Sequence, residues 1–306
     1  MTIRKHESRR RTLYWFRRVG TQIHRLPKRG EESTTRPRRR RTAFVAISVL
    51  AAIATLAITA PLVAPYDPNA LDAARLLQPP SWQHWAGTDE LGRDILSRSL
   101  WGARRSLGTG VGAAVLAGMI GIPIGIYAGY LGSWRDATLM RMVDILLALP
   151  GIMLALVVLS VFGRSAGNAA LAIAIVGIPF FARVARARAL ELRSRSFVLA
   201  EKTAGASTAH VVMKTILPNS VAPLIVQFVV TVATAVLLEA ELSFLGLGPP
   251  PPAASWGDML RVGKNYLNQA PYYAILPGLL LSVTILALDA AGRSIRPGVS
   301  LNEVAR

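Results

Sequence analysis

Six stretches of this 306-residue chain carry no charged residue, at 42–66, 106–134, 145–163, 165–182, 215–238 and 265–288. A helix crossing a bilayer needs about 20 predominantly apolar residues. Each stretch comes near that length or exceeds it. The pattern predicts an all-α integral membrane protein with six transmembrane helices. Only Arg164 separates the third stretch from the fourth, in Gly163-Arg164-Ser165-Ala166-Gly167-Asn168, which reads as a tight turn. The sixth is strongly apolar only from about Ala274.

The polar remainder divides the chain. Residues 1–41 are a basic N-terminal tail, 42–66 the first span, 67–105 a polar segment too long for a turn, 106–298 a five-helix core, and 299–306 a short C-terminal tail. In the polar segment Pro79-Pro80 breaks the chain, and Thr88 precedes Asp89 and Glu90. Thr at an N-cap with acids in the first turn predicts a helix starting there. Asp89–Arg93 and Asp94–Arg98 would then be i,i+4 pairs on its surface. Trp82, Trp85 and Trp101 suit a membrane interface. In the second span Gly121, Gly125 and Gly129 recur every four residues, which predicts close approach to a neighbouring helix.

Composition agrees with a membrane protein. Charged residues are 17% of the chain, against about 25% in soluble domains. Net charge is +18, which alone points to nucleic acid or anionic lipid. Fifteen of the 35 Lys and Arg fall in residues 1–41, however, so the charge is a local feature. With the N-terminus in the cytoplasm and alternating spans, 27 Lys and Arg fall inside and 8 outside. Without the tail the ratio is 12 to 8. The bias places both termini in the cytoplasm. The long basic run before residue 42 does not fit a cleavable signal. Within the tail, Leu13, Phe16, Val19 and Ile23 recur at near-helical spacing before Pro27. Two readings stand: an amphipathic helix on anionic lipid, or a basic tail that only sets topology.

Several chemistries are excluded. With no cysteine there are no disulfides, thiol catalysis or Cys-bound metals. The histidines at 6, 24, 84 and 210 are scattered, so no metal site is expected. Gly263-Lys264 lacks both the earlier glycine (Asp258 stands there) and the following Ser or Thr (Asn265) of a phosphate loop. No ATP site, resident cofactor or catalytic group is expected in this chain.

Charges near the span ends are candidate functional residues. Arg141 and Asp144, at i,i+3, are expected to pair structurally. Glu239 and Glu241 either face the outer mouth of a path or cap the fold of residues 243–260, the capping role being preferred. Asp289 either lines an exit or pairs with Arg293. A gradient-driven transporter would place paired acids or broken helices at the membrane midplane, and these charges lie elsewhere.

Four segments carry a specific resemblance: HWAGTDELGRDILSRSLWGARRSL (84–107), GYLGSWRDATLMRMVDILLALPGIMLAL (129–156), AEKTAGASTAHVVMKTILP with NSVAPLIVQ (200–227), and LEAELSFLGLGPPPPAASWGDML (238–260). Together, from about 42 to 298, they resemble the C-type membrane subunit of dipeptide/oligopeptide ABC importers, a family with nickel-importing relatives. The resemblance implies a type I ABC importer transmembrane domain in a bacterial plasma membrane. It implies an extracytoplasmic scoop after the first helix, carrying Thr88, Asp89, Arg93 and Asp94, and a cytoplasmic coupling loop at about 190–218. Arg195, Ala200, Glu201, Ala204, Gly205, Ala206, Leu217 and Pro218 are the coupling residues it implies; Glu239, Glu241 and Asp289 are candidates for the path or gate. The implied partners are a homologous B-type permease, two ATPase subunits that bind ATP and Mg, and an extracytoplasmic binding protein. Anionic lipid is expected at the tail and no nucleic acid. The implied cargo is a short peptide, with nickel or another small solute as the alternative. Leu199 stands where the family's loop has Glu, Asp289 where it has Asn, and Arg293 where it has an acid.

Overall fold

The computed structural model describes residues 35–295. The chain divides into Met1–Arg41 and Thr42–Arg306. The amphipathic pattern at 11–26 and the C-terminal tail lie outside the described residues. No strand forms among the described residues, only an isolated bridge between Thr88 and Asp94.

Nine helices carry the architecture described: α1 Thr35–Val63, α2 Ile95–Leu131, α3 Ser133–Ala148, α4 Gly151–Phe162 and α5 Ala166–Leu192. They continue as α6 Ser196–Thr203, α7 Thr208–Phe244, α8 Trp256–Gly263 and α9 Tyr272–Ile295. Five are long and apolar enough to cross a membrane, and the α3–α4 pair makes a sixth if counted as one span.

The α2–α5 seam is the structural axis. A Cβ added to Gly121 would lie 2.5 Å from the Ile178 carbonyl oxygen, one on Gly125 2.1 Å from that of Ala182, and one on Gly129 2.5 Å from that of Arg186. The backbones touch here because these positions have no side chain. The core continues through Ala117, Phe181, Ala185 and Ala189 to Val198, Val211 and Ile216. α1 packs through Ile53 and Ala57 into a second cluster with Ala103, Ala114, Val232, Val236 and Leu288.

The third span differs from the expected single helix. α3 and α4 meet at 89°, broken between Ala148 and Gly151. Pro150 supplies no backbone donor and forces its predecessor out of the helical region; Leu149 is extended at φ −95°, ψ 138°. The other spans run beyond their charge-free windows, because helices continue into water where tertiary contacts support them. At 37 residues, α2 is about 55 Å long against a hydrocarbon core of about 30 Å.

The polar segment corrects the expected helix start at Thr88. Residues 88–94 form a closed loop, and the helix begins at Ile95 with Asp94 as its N-cap. Gly87 and Gly92 have φ of +77° and +75°, which a continuous right-handed helix forbids. The Asp89 carboxylate accepts the backbone N–H of Leu91 and of Arg93, both at 2.9 Å, and so folds the loop on itself. The expected Asp94–Arg98 pair is likewise replaced. Asp94 accepts the N–H and Oγ–H of Ser97, both at 2.7 Å, and contacts His84 Nδ1 at 3.0 Å. Arg98 instead lies 3.3 Å from Asp89 and donates to the Pro68 carbonyl at 3.0 Å. Asp89 and Arg93 do pair, at 2.6 Å, but are buried rather than on a surface.

Candidate functional site

The segment between α5 and α7 is a short helix closed by a turn. Arg195 is extended, and α6 follows. At its end the Gly205 N–H donates to the Lys202 carbonyl (3.1 Å) and the Ala206 N–H to that of Glu201 (3.0 Å). With Gly205 at φ +83° this is a Schellman closure, which requires a left-handed residue at that position. Ser207 then caps α7, its Oγ accepting the His210 N–H at 3.3 Å.

The segment has a dry side and a wet side. Val198, Val211 and Ile216 are fully buried and join the main core. The Lys202 ammonium sits 4.5 Å from the centre of the Tyr130 ring, and Arg193 donates to the Gly129 carbonyl at 3.1 Å, anchoring the segment to the end of α2. Both Glu201 carboxylate oxygens accept from the Thr215 hydroxyl, at 2.7 and 2.9 Å. On the outer side Phe197, Leu199 and Met213 are exposed together with Ala200, Ala204 and Gly205. Ala206 and Leu217 are half-buried and Pro218 is exposed. Arg195 reaches back to Glu191 at 3.2 Å.

Pro218 stands in the first turn of the α-helical stretch Leu217–Phe244. It lies in the continuous run Thr208–Phe244, after a π-helical stretch at Val211–Ile216 in which the Leu217 N–H reaches the Val212 carbonyl. The wider turn accommodates a proline whose ring would clash with a carbonyl four residues back. Pattern reading over 211–216 could not separate this stretch from ordinary helix, because the two differ by one hydrogen-bond register.

The other candidates lie elsewhere. Glu239 is 2% exposed; it accepts the hydroxyls of Ser106 (2.7 Å) and Ser243 (2.9 Å), with the Ser255 hydroxyl as a further partner. It thus ties α7, α2 and the cap of α8 together. Glu241 is exposed. Asp289 is half-buried and forms an ion pair with Arg293. The expected Arg141–Asp144 pair is not the one formed: Asp144 bonds Arg183 of α5 at 2.8 Å. Helix α5 lies against α3 and presents its own arginines to it, and Asp136 is held bidentately by Arg186 at 2.6 and 2.7 Å. Sequence reading also missed Trp256, fully buried, whose Nε1–H donates to the Ser99 carbonyl at 3.0 Å. Its partner is 157 residues away, beyond the reach of any local pattern.

Thr88, Asp89, Arg93 and Asp94 are brought together in the 64–94 segment with His84, Ser97 and Arg98. Their polar atoms face one another, which makes the cluster a scaffold. Among the described residues no three His, Asp or Glu are grouped as a metal ion would require.

Comparison with known proteins agrees with this architecture. A family model described as the binding-protein-dependent transport system inner membrane component matches residues 121–301. A second, the N-terminal TM domain of oligopeptide transport permease C, matches 32–80. A probable D,D-dipeptide transport system permease protein of Escherichia coli is 44% identical over 239 residues, 78% of this chain and 80% of that protein. A dipeptide transport system permease protein of Alkalihalophilus pseudofirmus is 38% identical over 259 residues, covering 85% of each. A di/tripeptide transport system permease protein of Pseudomonas aeruginosa is 41% identical over 246 residues, 78% of this chain and 81% of that one. In fold, the chain is similar to a subunit of an inward-facing MetNI methionine ABC transporter, with TM-score 0.54 and 20% identity over 66% of this chain and 97% of that one. The six-window hydropathy pattern, the glycine seam and the α5–α7 segment thus belong to a member of the binding-protein-dependent transport system inner membrane components, the permease subunits of ABC importers.

Proposed function

We propose that this multi-pass inner-membrane permease imports short peptides, with both termini in the cytoplasm. It would form half of a translocation path with a homologous B-type subunit. Two ATPase subunits, which hold ATP and Mg, would dock on the cytoplasmic face of the pair, one of them on the α5–α7 segment, and an extracytoplasmic binding protein would deliver the peptide. The observation that carries this reading is α6 with its Schellman closure: a short helix, buried on one side through Val198 and presenting Phe197 and Leu199 on the other. An apolar helix face of that kind suits a groove on a partner. Motion of the partner would pass through α6 and the Glu201–Thr215 link into α7. The 27-to-8 distribution of Lys and Arg supports the orientation. The names of the relatives support peptide cargo over nickel. Glu239, Glu241 and Asp289 remain the candidates for the path or gate; the basic tail is assigned to anionic lipid.

The test is co-reconstitution with the partner subunits in proteoliposomes, measuring peptide uptake and ATP hydrolysis together. Gly205→Pro forces φ from +83° toward about −65°. It is expected to abolish uptake while the subunit stays in the membrane and hydrolysis continues. Glu201→Lys, which puts a cation beside Lys202, is expected to act in the same direction. Wild-type uptake by both variants would refute the coupling assignment.

A further inference from the structure

A cavity of about 480 Å³ lies between the end of α1 and the beginning of α2, lined by Pro61, Tyr66, Asp67, Asn69, Trp101 and Arg105, among others. Its position along the membrane follows from the sequence. Charge-free window 42–66 ends at Tyr66, and window 106–134 begins one residue after Arg105. The outer ends of the first two spans therefore meet at this cavity. Arg105 is half-buried, and its Nη1 is enclosed without a hydrogen-bond partner. No carboxylate among the described residues forms an ion pair with it. Glu239 interacts with it electrostatically, but that carboxylate is already held by Ser106 and Ser243. An arginine without a hydrogen-bonding anion at a membrane boundary is a phosphate site in chemical terms, since guanidinium matches phosphate oxygens in a planar fork.

Two further features define the occupant. Asp67 is exposed on the wall; its Oδ1 accepts the Asn69 N–H at 2.8 Å, and its other oxygen has no partner among the described residues. A cavity wall with one free cation and one free carboxylate oxygen matches a group that is itself a zwitterion. Below it, Ile58 and Leu62 of α1 are exposed apolar side chains on the membrane-spanning surface. Trp101 carries Arg104 over its ring at 5.6 Å, an aromatic and a second cation at headgroup level. We propose that this cavity binds the headgroup of a zwitterionic phospholipid, its phosphodiester on Arg105 and its ammonium at Asp67, with the acyl chains along Ile58 and Leu62. The inference does not depend on the cargo assigned above.

The test uses the assembled complex purified in detergent, with bound lipid counted by native mass spectrometry. Dioleoyl phosphatidylethanolamine, dioleoyl phosphatidylglycerol, inorganic phosphate and dialanine are titrated separately. Wild type is expected to retain phosphatidylethanolamine in preference to phosphatidylglycerol. Arg105→Gln is expected to lower that retention by roughly tenfold, the loss of one charge-assisted contact. Asp67→Asn is expected to erase the preference between the two lipids while keeping binding. Asn69→Trp narrows the cavity from its exposed rim, keeps Arg105, and is expected to lower retention as well, which covers the case that Arg105→Gln does not fold. Undiminished retention in the Arg105 and Asn69 variants overturns the proposal. Displacement of the lipid by inorganic phosphate alone, or by dialanine, also overturns it and reassigns the cavity to a free anion or to cargo.

Discussion

Adding one methyl group at Gly125 should loosen the whole α2–α5 seam. In Gly125→Ala the new carbon would stand 2.1 Å from the Ala182 carbonyl oxygen, 2.7 Å from Ala185 Cβ and 2.9 Å from the Ala182 carbonyl carbon, whereas ordinary contact begins at 3.4 Å. Two of these three atoms belong to backbone, so no rotamer change relieves the clash. The axes must separate by about 1 Å, and the neighbouring close contacts at Gly121 and Gly129 open with them. Overpacking of this kind costs about 1–3 kcal/mol. Alanine's better helix propensity offsets up to about 1 kcal/mol. Gly108 lies in the same helix, is exposed, and has nothing within 4 Å of a built Cβ. Gly108→Ala therefore carries the propensity gain without the clash, and the difference between the variants isolates the seam. Thermal unfolding of the purified complex in detergent should place Gly125→Ala about 3–10 °C below Gly108→Ala. Equal midpoints would show that the helices do not meet through these glycines.

Three other perturbations probe separate parts. Thr215→Val removes the hydroxyl that Glu201 accepts; amide exchange across 196–206 should accelerate roughly tenfold while the global melting temperature moves little, as expected for a local bond of about 1–2 kcal/mol. Asp89→Asn removes the negative charge between Arg93 and Arg98; Arg93 keeps Glu90 at 3.0 Å, but Arg98 loses its ion-pair partner, and an uncompensated buried cation costs about 3–5 kcal/mol, so limited proteolysis should cut within 67–94 in the variant and not in wild type. Glu239→Ala strips the acceptor from the Ser106 and Ser243 hydroxyls. It should lower the yield of folded subunit, and a well-folded variant with selectively impaired transport would instead make Glu239 a path residue.

Secondary structure and chemistry were legible in the chain to different depths. Span positions followed from charge-free windows, because hydrocarbon excludes charge wherever a helix lies. The glycine spacing predicted a close helix contact, since that is a property of a local repeat, whereas Gly205 only permits the left-handed turn it makes. The α3–α4 break was not read from the charge-free window, because proline only permits a bend, whose size is set by what packs on either side. Polar pairing was the least readable feature. Asp94 was assigned to Arg98 by spacing and in fact caps its own helix, while Asp144 reached past Arg141 to Arg183. Glu239 found its serine on a helix 133 residues away.

The amino-acid sequence by itself therefore determined which segments enter the bilayer, since solvation acts on each residue where it stands. Tertiary structure decided which charge meets which, whether the 88–94 loop is helix or turnabout, and which face of α6 is left open. A carboxylate or guanidinium taken from water binds whichever opposite group folding brings within about 3 Å, and that neighbour is set by the packing of distant helices.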